Sequence, residues 1–241
     1  MAALDPVAEA ARTHEPDRYL AALYAPEPAR ARLIALAAFQ AEIARITTTV
    51  REPLLIDIRL QWWRDALDSL RTGSATGHPV ADSLAEPLRA GLLPPGLLLG
   101  MIDATAAQRP LAAWTDPQDL RGHCARLHGA AFALAARTLG AQHSDVLEVA
   151  AQASGHAYGL ARLLAAANSI EPVRRDAALA SCRSAHAEAM RAVARLDSAL
   201  LPGFLPLAVV TAYANAAPGA DISPLWRWWR LWRAQLRGRL D

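Results

Sequence analysis

There is no lysine in this chain: all 25 basic residues are arginine, set against 23 acids for a formal net charge of +2. Basicity so close to balance, and spread along the sequence, forms no lysine tract, so nucleic acid is not an expected partner. Cysteine is nearly missing too. Cys124 and Cys182 cannot build a disulfide framework, which fits a reducing cytoplasm. The opening Met1-Ala-Ala-Leu-Asp5 lacks the basic-then-apolar order of a secretory signal, so none is expected there. No uninterrupted apolar run reaches the roughly 18 residues of a spanning helix. The stretch from Gly91 to Ile102 comes nearest and is cut by Pro94-Pro95. Any membrane contact is therefore expected from the surface. Alternating β-branched runs are absent as well, which removes the signature of strands.

What is present is apolar spacing at three and four, so the chain reads as all-α. Its 241 residues suffice for one domain with a full core, 1–241. Pro28 opens a first long helix with Leu33, Leu36, Ile43, Ile46 and Val50 along one side, ending before Glu52-Pro53. A second runs from about Leu54 to Leu70, burying Leu60, Trp63, Leu67 and Leu70, and stops in the loop Gly73-Ser-Ala-Thr-Gly77. Asp116-Pro117-Gln118-Asp119 offers a cap, a proline at the first helical position and an acid in the first turn, starting a third helix towards Gly140. Ser144 caps a fourth through Leu164. Pro172, Pro202 and the turn Ala217-Pro218-Gly219 divide the rest into shorter helices. Small residues are dense from Ala150 to Ala167, which lets neighbouring helices approach closely around a narrow cavity, although packing alone also explains them.

Four groups of residues carry a resemblance. Asp17-Arg-Tyr-Leu20 with Pro26, then Leu36-Ala-Ala-Phe-Gln-Ala-Glu-Ile43, then Arg59-Leu-Gln-Trp-Trp-Arg64 and Gly77-His-Pro-Val80 stand in an order and spacing similar to the squalene/phytoene synthase family. The likeness is dense over 17–90, thinner to about 165 through Gly155-His-Ala-Tyr158, and weak beyond. It implies an isoprenoid-synthase-like helical bundle around a central, apolar-lined cavity. It also implies a head-to-head joining of two prenyl diphosphates, with Mg²⁺ carrying the charge of the departing diphosphate. Mg²⁺ takes oxygen ligands, usually one or two carboxylates together with substrate phosphates, and the family supplies them as aspartates four apart on two facing helices. That spacing puts both acids on one face.

Here those acids are absent. By alignment on Leu36 and Phe39 the first pair falls on Ala44 and Thr48. By alignment on Gly155 and Ala157 the second begins near Arg162 and Ala166, and no Asp or Glu occurs from Gln152 to Ile170. The chain therefore resembles the non-catalytic branch associated with assembly of respiratory NADH:ubiquinone oxidoreductase, whose version of the helix looks like Phe39-Gln-Ala-Glu-Ile-Ala44. The leading expectation is a catalytically degenerate assembly factor or scaffold, with a respiratory-complex subunit or assembly protein as partner. It has no catalytic residue and no cofactor, and is cytoplasmic, with peripheral contact at the inner membrane. The first alternative is an active prenyl transferase on farnesyl or geranylgeranyl diphosphate, which would need Mg²⁺. The second is a passive binder of a prenyl lipid.

Other carboxylates are weighed against the enzyme reading. Asp65 and Asp68, three apart, could share a metal, but they read better as the solvated face opposite Trp63 and Leu67, paired with Arg64 or Arg71. Glu42 reads as an ion-pair partner of Arg45 or of an arginine on the next helix. Asp119, His123, Cys124 and His128 form the only metal-capable cluster, as two pairs each one helical turn apart. His123 and Cys124 are about 100° apart around a helix, so the pairs should point in different directions, and no metal site is expected. Ser154 and His156 are too close in sequence to face one another, and no glycine-flanked serine elbow or phosphate-cradling loop occurs. For a scaffold, Glu42, Trp62, Trp63, Arg64, Asp65 and Asp68 are the partner candidates, each with a packing alternative.

At the C-terminus, 224–241, four of the seven tryptophans lie among arginines. Leu225, Trp228, Trp229, Trp232 and Leu236 share one helical face, and Arg230, Arg233 and Arg237 another. Such a helix suits an anionic bilayer surface. Packing is the favoured expectation: the aromatics bury against the bundle while arginine stems reach outwards.

Overall fold

A computed structural model describes residues 5–167, 170–217 and 219–240, so residues 1–4 and Pro218, at the centre of an expected turn, lie outside the described residues. Among those described, every regular element is helical. Two short helices, α1 (Pro6–His14) and α2 (Pro16–Ala22), precede two long ones, α3 (Ala29–Thr49) and α4 (Pro53–Arg71). Then come α5 (Pro79–Ser83), α6 (Ala85–Arg89) and α7 (Pro95–Ala106). The next segment is built from α8 (Pro117–Cys124), a π-helical turn over Ala125–Gly129 and α9 (Ala130–Thr138). Helices α10 (Asp145–Ala166) and α11 (Pro172–Val193) are the longest of the second half, followed by α12 (Leu201–Phe204), α13 (Val210–Asn215) and α14 (Pro224–Arg237).

The first, second and fourth long helices lie where their caps and periodicity put them, and Leu60, Trp63, Leu67 and Leu70 are all buried. Ser144 caps α10 by accepting from the Leu147 N–H at 3.2 Å. The expected third helix differs: it is interrupted by the π turn, whose wider winding changes which residues share a face. Beyond it, α9 is buried on every side. Phe132, Ala133 and Ala136 face a core made with α10–α14, while Ala131, Leu134 and Ala135 face a second core made with α1, α3, α4 and α7. A helix surrounded in this way must be apolar all round, which accounts for Ala130-Ala-Phe-Ala-Leu-Ala-Ala136.

Three of the four resembling segments pack on one another. Trp63 meets the Phe39 ring edge-on at 5.3 Å and the His78 ring at 5.4 Å, with Trp62 against Trp63 at 5.1 Å. His78 also caps α5, and Asp82 accepts from the Thr76 and Gly77 N–H groups, closing the loop below α4. These residues hold α3, α4 and α5 together.

The expectation that no segment matches a membrane span needs correcting. Ser198–Asn215 is long and apolar enough by composition, although Pro202 and Pro206 divide it and most of it is buried against the second-half core.

Candidate functional site

Ala44 and Thr48 near the C-terminal end of α3, and Arg162 and Ala166 near that of α10, all line one cavity of about 250 Å³. These are the four positions at which the sequence comparison located missing acids, and the fold brings them together from two separate helices. The cavity is completed by Glu15, Gln40, Thr105, Gln108, His123, Cys124, Leu127, His128, Gly159 and Leu163. Glu15 is the one carboxylate among these lining residues, and it is already engaged. Arg162 Nη1 donates to its Oε1 at 2.6 Å, and Arg18 Nε stands 4.0 Å from its Oε2. A divalent cation placed between α3 and α10 would meet a methyl, a hydroxyl, a guanidinium and another methyl. This donor set does not fit Mg²⁺, which needs charged oxygens where the chain puts an arginine.

Behind Glu15 lies a buried ionic network that composition did not reveal. Asp17 accepts from the phenols of Tyr158 at 2.6 Å and Tyr213 at 2.8 Å, both on Oδ2, and its Oδ1 is 2.7 Å from Nε of Arg227. The Arg18 guanidinium lies over the rings of Phe132, at 4.6 Å, and Tyr158, at 5.3 Å. Burial first, and then the Asp17 carboxylate, pushes the Tyr158 hydroxyl well above its usual range, so it stays protonated and donates. The network ties α2 to α10, α13 and α14. Its sequence signal was Asp17-Arg-Tyr-Leu20, polar residues in a segment too short to bury them unpaired.

The metal-capable cluster is arranged differently from the sequence expectation. His123, Cys124 and His128 all line the same cavity, the first two from the end of α8 and the third from the π turn, while Asp119 is exposed. Among the described residues, no three His, Cys, Asp or Glu side chains gather as a metal would require. Burial pushes the Cys124 thiol up to about 12 and Cys182 to about 11, so both are poor nucleophiles at neutral pH. His128 is lowered, by burial first and then by Arg162 and Arg18, and is neutral.

His123, buried with its ring 4.7 Å from that of Trp114, is lowered to about 4 by burial, then by Arg126 and Arg109. Its unfolded value is ~6.5, so between the two values the unfolded chain binds a proton that the folded chain does not. Stability from this residue is complete above ~6.5 and falls as pH drops towards 4, by about 2 kcal/mol at pH 5. Urea unfolding at pH 7 and pH 5 should show His123→Phe losing that much less than the unmodified chain on acidification. Equal losses would remove His123 from the account.

The remaining charged candidates are at or near the surface, each with a polar partner. Glu42 pairs with Arg45 at 3.1 Å, and Asp68 with Arg71 at 2.9 Å. Asp65 accepts from Gln61 at 2.8 Å, and Arg64 pairs with Asp103 at 2.7 Å rather than with Asp65 or Asp68. Trp63 is core, whereas Trp62 is exposed along with Leu54, Leu55 and Ile58 of α4.

The largest departure is at α14. Leu225, Trp228, Trp229, Trp232 and Leu236 do share a face, but it points to solvent. Helix α14 docks instead through Leu231, Ala234 and Arg227, the last only 4% exposed. Asp17 is the reason: its carboxylate needs a cation inside, and satisfying it turns the aromatic stripe outwards. Arg230 holds this orientation by donating from Nε to the Ala208 carbonyl at 3.1 Å.

Comparison with known proteins places these features. A sequence model of the squalene/phytoene synthase family matches residues 11–182. Two curated relatives are each described as NADH dehydrogenase (ubiquinone) complex I, assembly factor 6. The one from Bos taurus is 28% identical over 160 residues, covering 66% of this chain and 47% of the relative. The one from Mus musculus is 26% identical over the same length. The chain thus spans about half the length of the curated relatives it matches. Among solved structures, squalene synthase HpnC from Alicyclobacillus acidocaldarius superposes with a TM-score of 0.68 at 13% identity, covering 96% of this chain and 92% of that one. At that identity the match establishes a shared fold, the helical isoprenoid-synthase bundle.

Proposed function

The chain belongs to the squalene/phytoene synthase family, and from that premise we propose that it is a catalytically degenerate member acting as an assembly factor or scaffold for respiratory NADH:ubiquinone oxidoreductase. One observation carries the loss of catalysis: the four positions facing one another across the cavity are Ala44, Thr48, Arg162 and Ala166, and Arg162 is pinned to Glu15. The two assembly-factor relatives support the assembly role. The proposed partner is a respiratory-complex subunit or another assembly protein, met through the exposed side of α4 around Trp62. The proposed location is the cytoplasm, in peripheral contact with the inner membrane. No cofactor belongs to this proposal.

Incubated with Mg²⁺ and radiolabelled farnesyl or geranylgeranyl diphosphate beside a genuine synthase, the purified protein is expected to release no diphosphate and form no condensed lipid. Product would restore the prenyl transferase reading. In the host, removing the chain is expected to lower NADH:ubiquinone oxidoreductase activity, and unchanged activity would sink the assembly role. Passive binding of a prenyl lipid draws on the cavity walls of Leu127, Leu163, Ala44 and Ala166, and gains if an isoprenoid is extracted unconsumed from the purified protein.

A further inference from the structure

The outward face of α14 is turned to solvent, and its composition is unusual for solvent. Leu225 is 80% exposed, Trp228 48%, Trp229 40%, Trp232 39% and Leu236 70%. A soluble amphipathic helix ordinarily turns its apolar stripe to the core. Here the core takes a third face, through Arg227, Leu231 and Ala234, and at ~100° per residue the aromatic stripe lies on nearly the opposite side. The stripe is rigid rather than frayed, because Arg227 is locked to Asp17 and Arg230 to the Ala208 carbonyl. Trp228 and Trp232 stack on each other at 5.8 Å, forming one continuous aromatic surface.

The charge within the helix has a single sign. From Ile222 to Leu240 there are five arginines and no acid. Arg227 is inside; Arg233 lies over the Trp229 ring at 5.1 Å, and Arg237 and Arg239 are on the exposed side. Indole rings favour the boundary between headgroups and acyl chains, where the apolar body is covered and the N–H stays wet. Arginines beside them meet phosphate, which binds the planar guanidinium in two-point fashion. A protein partner would have to be both acidic and apolar over the same strip, whereas an anionic bilayer surface provides those two layers by construction.

We propose that α14 is a preformed membrane-surface anchor that docks the bundle on anionic phospholipid, with Leu225, Trp228, Trp229, Trp232 and Leu236 inserted at headgroup depth and Arg233 and Arg237 on lipid phosphates. This goes beyond the assembly reading and does not need it, since a lipid binder with the same helix would dock in the same way. The ionic network gives the anchor its orientation: the Arg227–Asp17 pair fixes which side of α14 faces out.

The full chain is tested by flotation with vesicles of phosphatidylcholine alone and of phosphatidylcholine mixed with phosphatidylglycerol. Expected are strong flotation with the mixed vesicles, weakening as salt is raised, and quenching of tryptophan fluorescence by brominated acyl chains. Replacing Trp228, Trp229 and Trp232 together by serine, on the exposed face of α14, should lower partitioning more than about tenfold and remove most of the quenching. Arg233→Glu should weaken binding to the mixed vesicles by roughly tenfold or more while leaving the thermal midpoint unchanged. It decides the matter even if the triple variant does not fold. Failure of the folded chain to float with the anionic vesicles, leaving the face to a protein, would overturn the proposal. So would flotation indifferent to both variants. Neither result bears on turnover or on NADH:ubiquinone oxidoreductase activity, which test the assembly reading separately.

Discussion

Gly155→Ala is expected to cost about 3 kcal/mol or more and to lower the melting midpoint by roughly 6–12 °C, or to prevent folding altogether. Helix α10 crosses the π turn backbone to backbone at this point. A Cβ on Gly155 would fall inside contact distance of the Gly129 nitrogen, 2.5 Å from its Cα and 3.0 Å from the Cys124 carbonyl oxygen. Main-chain atoms cannot rotate aside, so the two helices must separate, and the cavity wall moves with them. One turn on, Gly159 faces Cys124 Sγ, which a Cβ would meet at 2.8 Å, so the crossing has no slack on either side. Gly100→Ala on α7 is the control. It has nothing within 4 Å of an added Cβ and sits inside a helix, so it should be neutral or stabilise by up to about 1 kcal/mol. Thermal unfolding of the two variants side by side separates the steric clash from the helical preference. A Gly155→Ala protein as stable as the unmodified chain would mean that the crossing is looser than this geometry.

How much of this was legible in the sequence depends on whether the information was local. Caps and periodicity fixed the long helices, because Ser144, Asp116-Pro117 and Glu52-Pro53 act on their own neighbours. The density of small residues from Ala150 to Ala167 correctly indicated close approach, although not that Gly129 was the counterpart. The four acid-free positions were located from the resemblance alone, and the fold places all four on one cavity. Two features escaped because they depend on distant partners. The π turn adds a residue to one winding to suit the crossing with α10, and nothing in Ala125-Arg-Leu-His-Gly129 announces it. The orientation of α14 is set by a carboxylate more than two hundred residues earlier, so hydropathy pointed its tryptophans inwards and the ion pair turned them out. A helical wheel identifies which residues share a face; it cannot say which face is buried when a buried acid is waiting for an arginine.

That acid gives the second large effect. Asp17→Ala is expected to destabilise by about 3–5 kcal/mol, because it leaves Arg227 charged inside the protein and takes the acceptor from two phenols. Arg227→Met should cost less, and the asymmetry follows from the remaining partners. Without Arg227, Asp17 still accepts from Tyr158 and Tyr213 at 2.6 and 2.8 Å. Without Asp17, the acid left to Arg227 is Asp221, exposed and at 3.0 Å, beside the neutral Tyr213 phenol. The pair Asp17→Asn with Arg227→Met removes both charges while preserving shape, and should recover part of the loss, since a buried ion pair is worth less than the penalty of breaking it on one side. Urea denaturation of the three variants gives the order directly. If Arg227→Met proved as damaging as Asp17→Ala, the phenols would not be holding the carboxylate. If the double variant were the worst of the three, the pair would be a net source of stability rather than a device for orienting α14. The vesicle measurements then connect this pair to the surface, since a folded Arg227→Met chain whose tryptophans are free to turn inwards should lose anionic binding without losing a single exposed arginine.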